Sequence, residues 1–219
     1  MPLTSQASPE RALYLVTPPL AAADAEAFAG IFAATLEAAP VACALLRLLP
    51  DSLLRAEAVA APFLRAANDA DCALLIENDA RLAARLGADG VHVAGAGADL
   101  SQAIERLKPQ RIVGAGALRT RDEAMIAGEM GADYVMFGDF DGATPTMGLK
   151  PLTDRVAWWA EIFETPCVAC AATLAEARAL KEAGADFVAL GEAVFGSSSP
   201  AAAARGAQAS IASVSAAAP

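Results

Sequence analysis

Arg47, Asn78, Asp79, His92, Asp99 and Arg119 each end, interrupt or closely follow a short apolar run, so this sequence places its most useful polar groups at strand ends. An arginine there suits phosphate recognition, because its planar fork of N–H donors matches phosphate oxygens. Asn78-Asp79 joins an amide that can orient a ligand to a carboxylate that can hold a divalent cation. Asp99, one strand further on, could complete a magnesium site. His92 lies between Val91 and Val93, so strand alternation turns it to the face opposite both valines. Each residue also has a purely structural use. Asn and Asp favour helix caps, a buried histidine can serve the core, and Arg47 can pair with Glu77 or Asp79. Both uses stand for each residue at this point. Glu77, Asp139, Asp141, Thr144, Thr146 and Glu192 occupy comparable places.

The four cysteines offer less. Cys167 and Cys170 have the spacing of a redox or zinc pair, but they lie in an apolar run that reads as a strand. Residues three apart on a strand face opposite ways, and His92 is the sole histidine, so no zinc set can be assembled. All four read as packed core thiols.

The elements that must carry these residues announce themselves by repetition. Gly-Ala-Asp followed by a strand-like run occurs at Gly87, Gly131 and Gly184, separated by 44 and 53 residues. The glycine suits the left-handed end of a helix and the aspartate suits the turn. Short apolar runs at 13–17, 41–46, 72–76, 90–93, 111–115, 133–137, 166–170 and 186–190 read as strands buried on both faces. Helical patterns at 22–38, 51–67, 79–86, 100–107, 120–130, 152–163 and 173–183 alternate with them, and 200–210 supplies an eighth. That alternation predicts an α/β fold, a single-domain (β/α)8 TIM barrel, with chemistry at the C-terminal ends of the strands. A doubly wound sheet would place a glycine-rich loop after its first strand, where this chain has Thr17-Pro18-Pro19. Residues 1–11 read as a flexible arm, 12–199 as the barrel and 200–219 as a C-terminal helix with an Ala/Ser-rich tail. The longest strand-to-helix connection, 138–150, is a candidate binding loop.

Composition narrows the partners. A net charge of −10 argues against nucleic acid or an anionic membrane surface as the main partner. No run reaches transmembrane length, and residues 1–11 lack a signal-peptide plan. Cytoplasmic residence and a small-molecule ligand are the expectations.

Several segments, in order, resemble the thiamine phosphate synthase and thiazole tautomerase superfamily, from Leu13 to about Phe195. Leu13-Tyr14-Leu15-Val16-Thr17 is similar to its first strand, Asn78-Asp79 to its I-N-D, and Ala88-Asp89-Gly90-Val91-His92-Val93 to its A-D-G-V-H-L. Gly131 to Val135 and Gly184 to Val188 match the segments before its sixth and eighth strands. The resemblance implies a barrel that joins hydroxymethylpyrimidine diphosphate to thiazole phosphate, releasing pyrophosphate with the help of Mg²⁺. It implies Asp79 and Asp99 as metal ligands, and Arg47 and Asn78 as catalytic contacts to the diphosphate; Arg119, outside the family pattern, is a further catalytic candidate as a replacement cation. His92, Thr144, Thr146, Ala171, Ala172 and Gly191 would bind substrate. Phosphorylated thiamine precursors would be its ligands, and relatives commonly self-associate.

The departures fall on the anion-binding positions. The family's Q-L-R-x-K reads Leu45-Leu46-Arg47-Leu48-Leu49, and methionine (Met147) stands where its G-P-x-F-x-T-x-T-K loop ends in lysine. Its L-G-Q-x-D is one residue longer here, from Val93 to Asp99, and its I-G-G-I reads Ala169-Cys170-Ala171-Ala172. Glu192 adds a negative charge where a phosphate would sit, and Arg119 restores one cation. Losing one donor to developing charge costs ~10²–10³ in rate. A divergent synthase with reduced turnover is therefore expected. The alternative is a non-catalytic barrel that binds a thiamine-related or other small ligand as a sensor or partner subunit.

Overall fold

Eight parallel strands close on themselves in sequence order: β1 (Leu13–Val16), β2 (Val41–Leu46), β3 (Ala73–Glu77), β4 (Gly90–Ala94), β5 (Ile112–Gly116), β6 (Tyr134–Phe137), β7 (Cys167–Cys170) and β8 (Phe187–Leu190). This is a computed structural model, and it describes residues 11–140 and 147–215. Around the barrel run α1 (Ala25–Ala38), α2 (Pro50–Leu53), α3 (Ala56–Asp69), α4 (Ala80–Leu86), α5 (Ala98–Leu107), α6 (Arg121–Glu129), α7 (Leu149–Ile162), α8 (Leu174–Glu182), α9 (Glu192–Phe195) and α10 (Pro200–Ser215). The TIM barrel expected from the alternation is the fold observed.

Two differences from the expected elements have local causes. The helix expected over 51–67 is two helices, because Arg55 leaves helical geometry at φ −127° and ψ 25°. The first piece is tied elsewhere: the Asp51 carboxylate accepts from the Ala22 N–H, and Ser52 Oγ donates to the Leu20 carbonyl. The second difference is α9, a short helix after β8 that the apolar pattern did not indicate.

The three Gly-Ala-Asp joints do more than turn the chain. Gly87, Gly131 and Gly184 have φ of 75°, 96° and 104°, the left-handed ends expected of them. Each aspartate then grips the preceding strand. The Asp89 N–H donates to the Leu74 carbonyl while its carboxylate accepts from the Leu74 N–H at 2.8 Å. Asp133 makes the same pair of hydrogen bonds with Val113, and Asp186 with Cys167. The aspartates were expected to serve the turns; they act instead as clamps that set strand register at the N-terminal end of the barrel.

Successive side chains alternate between two cores. One lies between sheet and helices and includes Leu15, Leu46, Val91, Val93 and Cys167; the other fills the barrel and includes Tyr14, Leu45, Tyr134, Phe187 and Cys170. Cys167 and Cys170 thus fall on opposite sides of β7, as the alternation requires. Inside, large rings fit because β5 offers glycines. A Cβ on Gly114 would lie 2.0–2.4 Å from the Tyr134 ring atoms, and one on Gly116 would lie 2.3 Å from His92 Nε2.

Two outcomes follow. Asp186→Ala should cost about 1.5–3 kcal/mol, the range for a hydrogen bond to a charged group, and Asp186→Asn, which keeps an acceptor, should cost less. Gly114→Ala should cost at least about 1–3 kcal/mol through overpacking against Tyr134. Urea unfolding of each variant measures both.

Candidate functional site

The C-terminal end of the barrel gathers Arg47, Glu77, Asn78 and His92 from adjacent strands β2, β3 and β4. Arg47 is 8% exposed and is held along its length. Its N–H donates to Thr17 Oγ1 at 3.1 Å, and the chain after β1 lies against it through Leu20 N–H to the Arg47 carbonyl. Its Nε donates to Glu77 Oε1 at 3.2 Å, and its guanidinium carbon sits 4.8 Å from the centre of the Phe140 ring. The ion pair weighed for Arg47 is formed with Glu77. Phe140, from the chain after β6, also meets the His92 ring edge-on at 5.8 Å. It thereby partly covers the mouth between cation and imidazole.

Asn78 has a left-handed φ of 54°, which asparagine tolerates better than most residues. Its N–H donates to the His92 carbonyl and its Oδ1 accepts from the Ala94 N–H, both at 2.8 Å, so it latches β3 to the end of β4. Asp79 is the N-cap of α4, with Oδ1 accepting from the Leu82 N–H at 2.8 Å. Asp99 is exposed in the first turn of α5, whose N-cap is Gly97. Asp79 and Asp99 line one groove of about 580 Å³, together with Asn78, Arg81, Gln102 and Arg106. Among the described residues no three His, Cys, Asp or Glu side chains cluster as a metal set.

His92 points into the barrel and is 2% exposed. Its Nδ1 lies 2.7 Å from the Tyr134 hydroxyl, which lies 3.0 Å from that of Tyr14. Burial, and secondly the charge of Arg47, lower its pKa from 6.5 to about 4. The imidazole is neutral at ordinary pH. Burial likewise raises both tyrosines, which stay protonated.

Across the mouth, Arg119 is exposed beside a groove of about 540 Å³ with Ala117, Gly138, Asp139 and Met147. Its N–H and that of Thr120 donate to Glu123, which closes a capping box on α6. Thr144, Thr146 and Asp141 lie outside the described residues.

The corner after β7 and β8 is where barrels commonly hold phosphate, aided by the N-terminus of a short extra helix. Here α9 is such a helix, yet the amides after β7 are engaged. Ala171 N–H donates to the Ala189 carbonyl, and Ala172 N–H donates to Glu176 Oε2 at 2.8 Å. A carboxylate of the chain therefore sits where an anion would bind. Gly191 is the N-cap of α9, and a Cβ on it would come within 3.2 Å of the Val16 carbonyl oxygen. The Glu192 carboxylate turns back along α9 to lie beside Gly196. Sequence reasoning passed over Tyr14, Tyr134, Phe140 and Glu176. Only Glu176 had a local signal, the Thr173-x-x-Glu176 pattern of a capping box.

The thiamine monophosphate synthase family model matches residues 13–194. The chain belongs to that family. A thiamine-phosphate synthase of Rhodospirillum centenum is 43% identical over 186 residues, covering 81% of this chain and 86% of that protein. One of Hyphomonas neptunium is 38% identical over 198 residues, covering 88% and 89%. In structure, this family member superposes on a thiamine phosphate pyrophosphorylase from Pyrococcus furiosus with a TM-score of 0.77 at 20% identity, covering 96% and 98% of the two chains. A 3-hexulose-6-phosphate synthase shares the fold at a TM-score of 0.71 and 21% identity. No helix among the described residues is long and apolar enough to cross a membrane.

The lone histidine makes one pH effect separable. Unfolded His92 protonates near pH 6.5 and folded His92 only near 4, so the unfolded chain binds the extra proton between them. Stability is fully present above 6.5 and falls as pH drops through that window, by roughly 3 kcal/mol in all. His92→Gln should lack this component. Urea titrations at pH 7 and pH 5 should show wild type losing about 2 kcal/mol more than the variant.

Proposed function

We propose that this chain joins hydroxymethylpyrimidine diphosphate to thiazole phosphate with release of pyrophosphate, as a thiamine-phosphate synthase with a rebuilt anion site. One observation carries the reading: β2, β3 and β4 deliver Arg47, Asn78-Asp79 and His92 to the same end of the barrel, with Asp99 across a groove from Asp79. In this reading the C–O bond to the diphosphate breaks first and the thiazole nitrogen then attacks the pyrimidine methylene carbon. The chain's task is to bind the departing anion and keep the reacting carbon from water. Arg47 would bring its positive charge to the diphosphate, with Glu77 accepting from its Nε and orienting the guanidinium. Asn78 fixes the ends of β3 and β4, so that the donors they carry do not reorganise as charge develops.

Asp79 and Asp99 suit magnesium, which is usually held by one or two carboxylates together with substrate phosphates and water. Asp79 uses Oδ1 as a cap and keeps Oδ2 for such a role. Bound there, the metal would neutralise charge on the leaving pyrophosphate. Arg119 would supply a second cation, and the chain would work in the cytoplasm.

One observation favours the alternative, a non-catalytic barrel for a neutral or cationic ligand. The Ala171 and Ala172 amides are already satisfied, the second by Glu176. Single-turnover assays with excess protein, both precursors and thiochrome detection separate the two. Magnesium-dependent thiamine phosphate is expected. Asp79→Asn should lower its rate by ~10² or more while leaving stability within about 0.5 kcal/mol, because Asn caps as well as Asp. No product from folded protein would leave the binding reading, under which pyrophosphate fails to compete for ligand. Glu176→Ala should then admit inorganic phosphate at the freed Ala172 amide.

A further inference from the structure

A hydrogen-bonded chain runs through the barrel interior from Tyr14 to Tyr134 to His92, and neither reading above gives the two tyrosines a role. The Tyr14 and Tyr134 hydroxyls are 3.0 Å apart, and the Tyr134 hydroxyl is 2.7 Å from His92 Nδ1. All three side chains are at most 2% exposed. The rings are fixed as well: Tyr14 meets Tyr134 at 66° and 6.0 Å, and Tyr134 stacks on His92 at 18° and 5.7 Å.

With a neutral imidazole such a chain can run in two directions. In one, Tyr14 donates to Tyr134 and Tyr134 to Nδ1; the ring proton is then on Nε2. In the other, Nδ1–H donates to Tyr134 and Tyr134 to Tyr14, and the Tyr14 proton is left without an acceptor among the described residues. The first direction gives both phenol protons strong acceptors, an oxygen and an imidazole nitrogen. The second satisfies only the Tyr134 proton. A buried hydroxyl without an acceptor is unfavourable, so the first direction prevails.

The Nε2 edge lies against the end of β5 at Gly116, whose missing Cβ makes room for the imidazole: a Cβ there would come within 2.3 Å of that nitrogen. Nε2 makes no hydrogen bond among the described residues, and the Phe140 ring stands nearby at the mouth. We infer that His92 presents Nε2–H as a fixed, uncharged hydrogen-bond donor to the ligand in the barrel mouth, and that Tyr134, backed by Tyr14, is the positioning residue that sets this tautomer. The ligand group that meets it carries a lone pair and no proton, such as a ring nitrogen, a carbonyl or an ester oxygen. A neutral donor suits a place beside Arg47, where a second cation would be repelled. The inference needs only that a small molecule enters the mouth, so it stands or falls apart from turnover.

The single histidine makes the test direct. Nitrogen-15 NMR of histidine-labelled wild-type protein at pH 7 should show Nδ1 unprotonated and Nε2 protonated. The opposite tautomer would overturn the assignment. Tyr134→Phe should mix or reverse the tautomers, whereas an unchanged folded variant would remove Tyr134 from the positioning role. If that variant does not fold, the wild-type tautomer still decides the chain direction. Hydroxymethylpyrimidine diphosphate and thiazole phosphate, added separately, are the probes. At least one should move the Nε2–H resonance; if neither does, His92 is not a ligand donor. Binding of that probe should weaken by roughly tenfold in His92→Leu and by less in His92→Gln, whose amide N–H restores a donor. Equal losses in the two variants would count against a donor role.

Discussion

Strand register, held by three aspartates at the N-terminal end of the barrel, governs everything at the other end. Asp89, Asp133 and Asp186 each exchange two hydrogen bonds with the first residues of a neighbouring strand, Leu74, Val113 and Cys167. The strands that follow are only four or five residues long. A slip of one residue would therefore reverse every inward side chain before the mouth is reached. Asn78 repeats the device at the opposite end by holding β4 through two bonds. The sheet between β3 and β4 is thus pinned at both ends, and His92 lies on the pinned stretch.

The mouth is organised around charges that the chain has partly answered for itself. Glu77 accepts from Arg47, Asp79 caps α4, Glu123 caps α6 and Glu176 binds the amide after β7. A helix N-terminus attracts anions because its N–H groups lack partners. Where a carboxylate of the chain supplies the partner, an incoming phosphate must displace it. Arg47 and Arg119 bring positive charge to this mouth, one buried against Phe140 and one exposed on the far rim. This asymmetry distinguishes the β2–β4 side of the mouth from the β7–β8 corner.

Much of the framework was legible in the sequence. Strand and helix alternation is local, and the Gly-Ala-Asp joints mark helix ends by a conformation that glycine readily adopts. Alternation about Val91 and Val93 correctly sent His92 inward. The partners of His92 were hidden, because Tyr14 and Tyr134 lie 78 and 42 residues away and meet it only after the barrel closes. Phe140 was hidden for the same reason. The aspartates were misread as turn residues since their clamp acts on another strand. Asp79 shows a different difficulty: a cap and a metal ligand ask for the same residue at the same place.

Gly114 and Tyr134 divide one volume inside the barrel, the glycine leaving room that the phenol ring occupies. Neither position can therefore drift alone. A larger residue at 114 is tolerated only where the ring at 134 has first shrunk, and that smaller residue by itself opens a void and breaks the chain to His92. The two sites are epistatic, and every stepwise path between alternative fillings of this barrel crosses a less stable intermediate. As long as the tyrosine stays, the glycine is held in place with it.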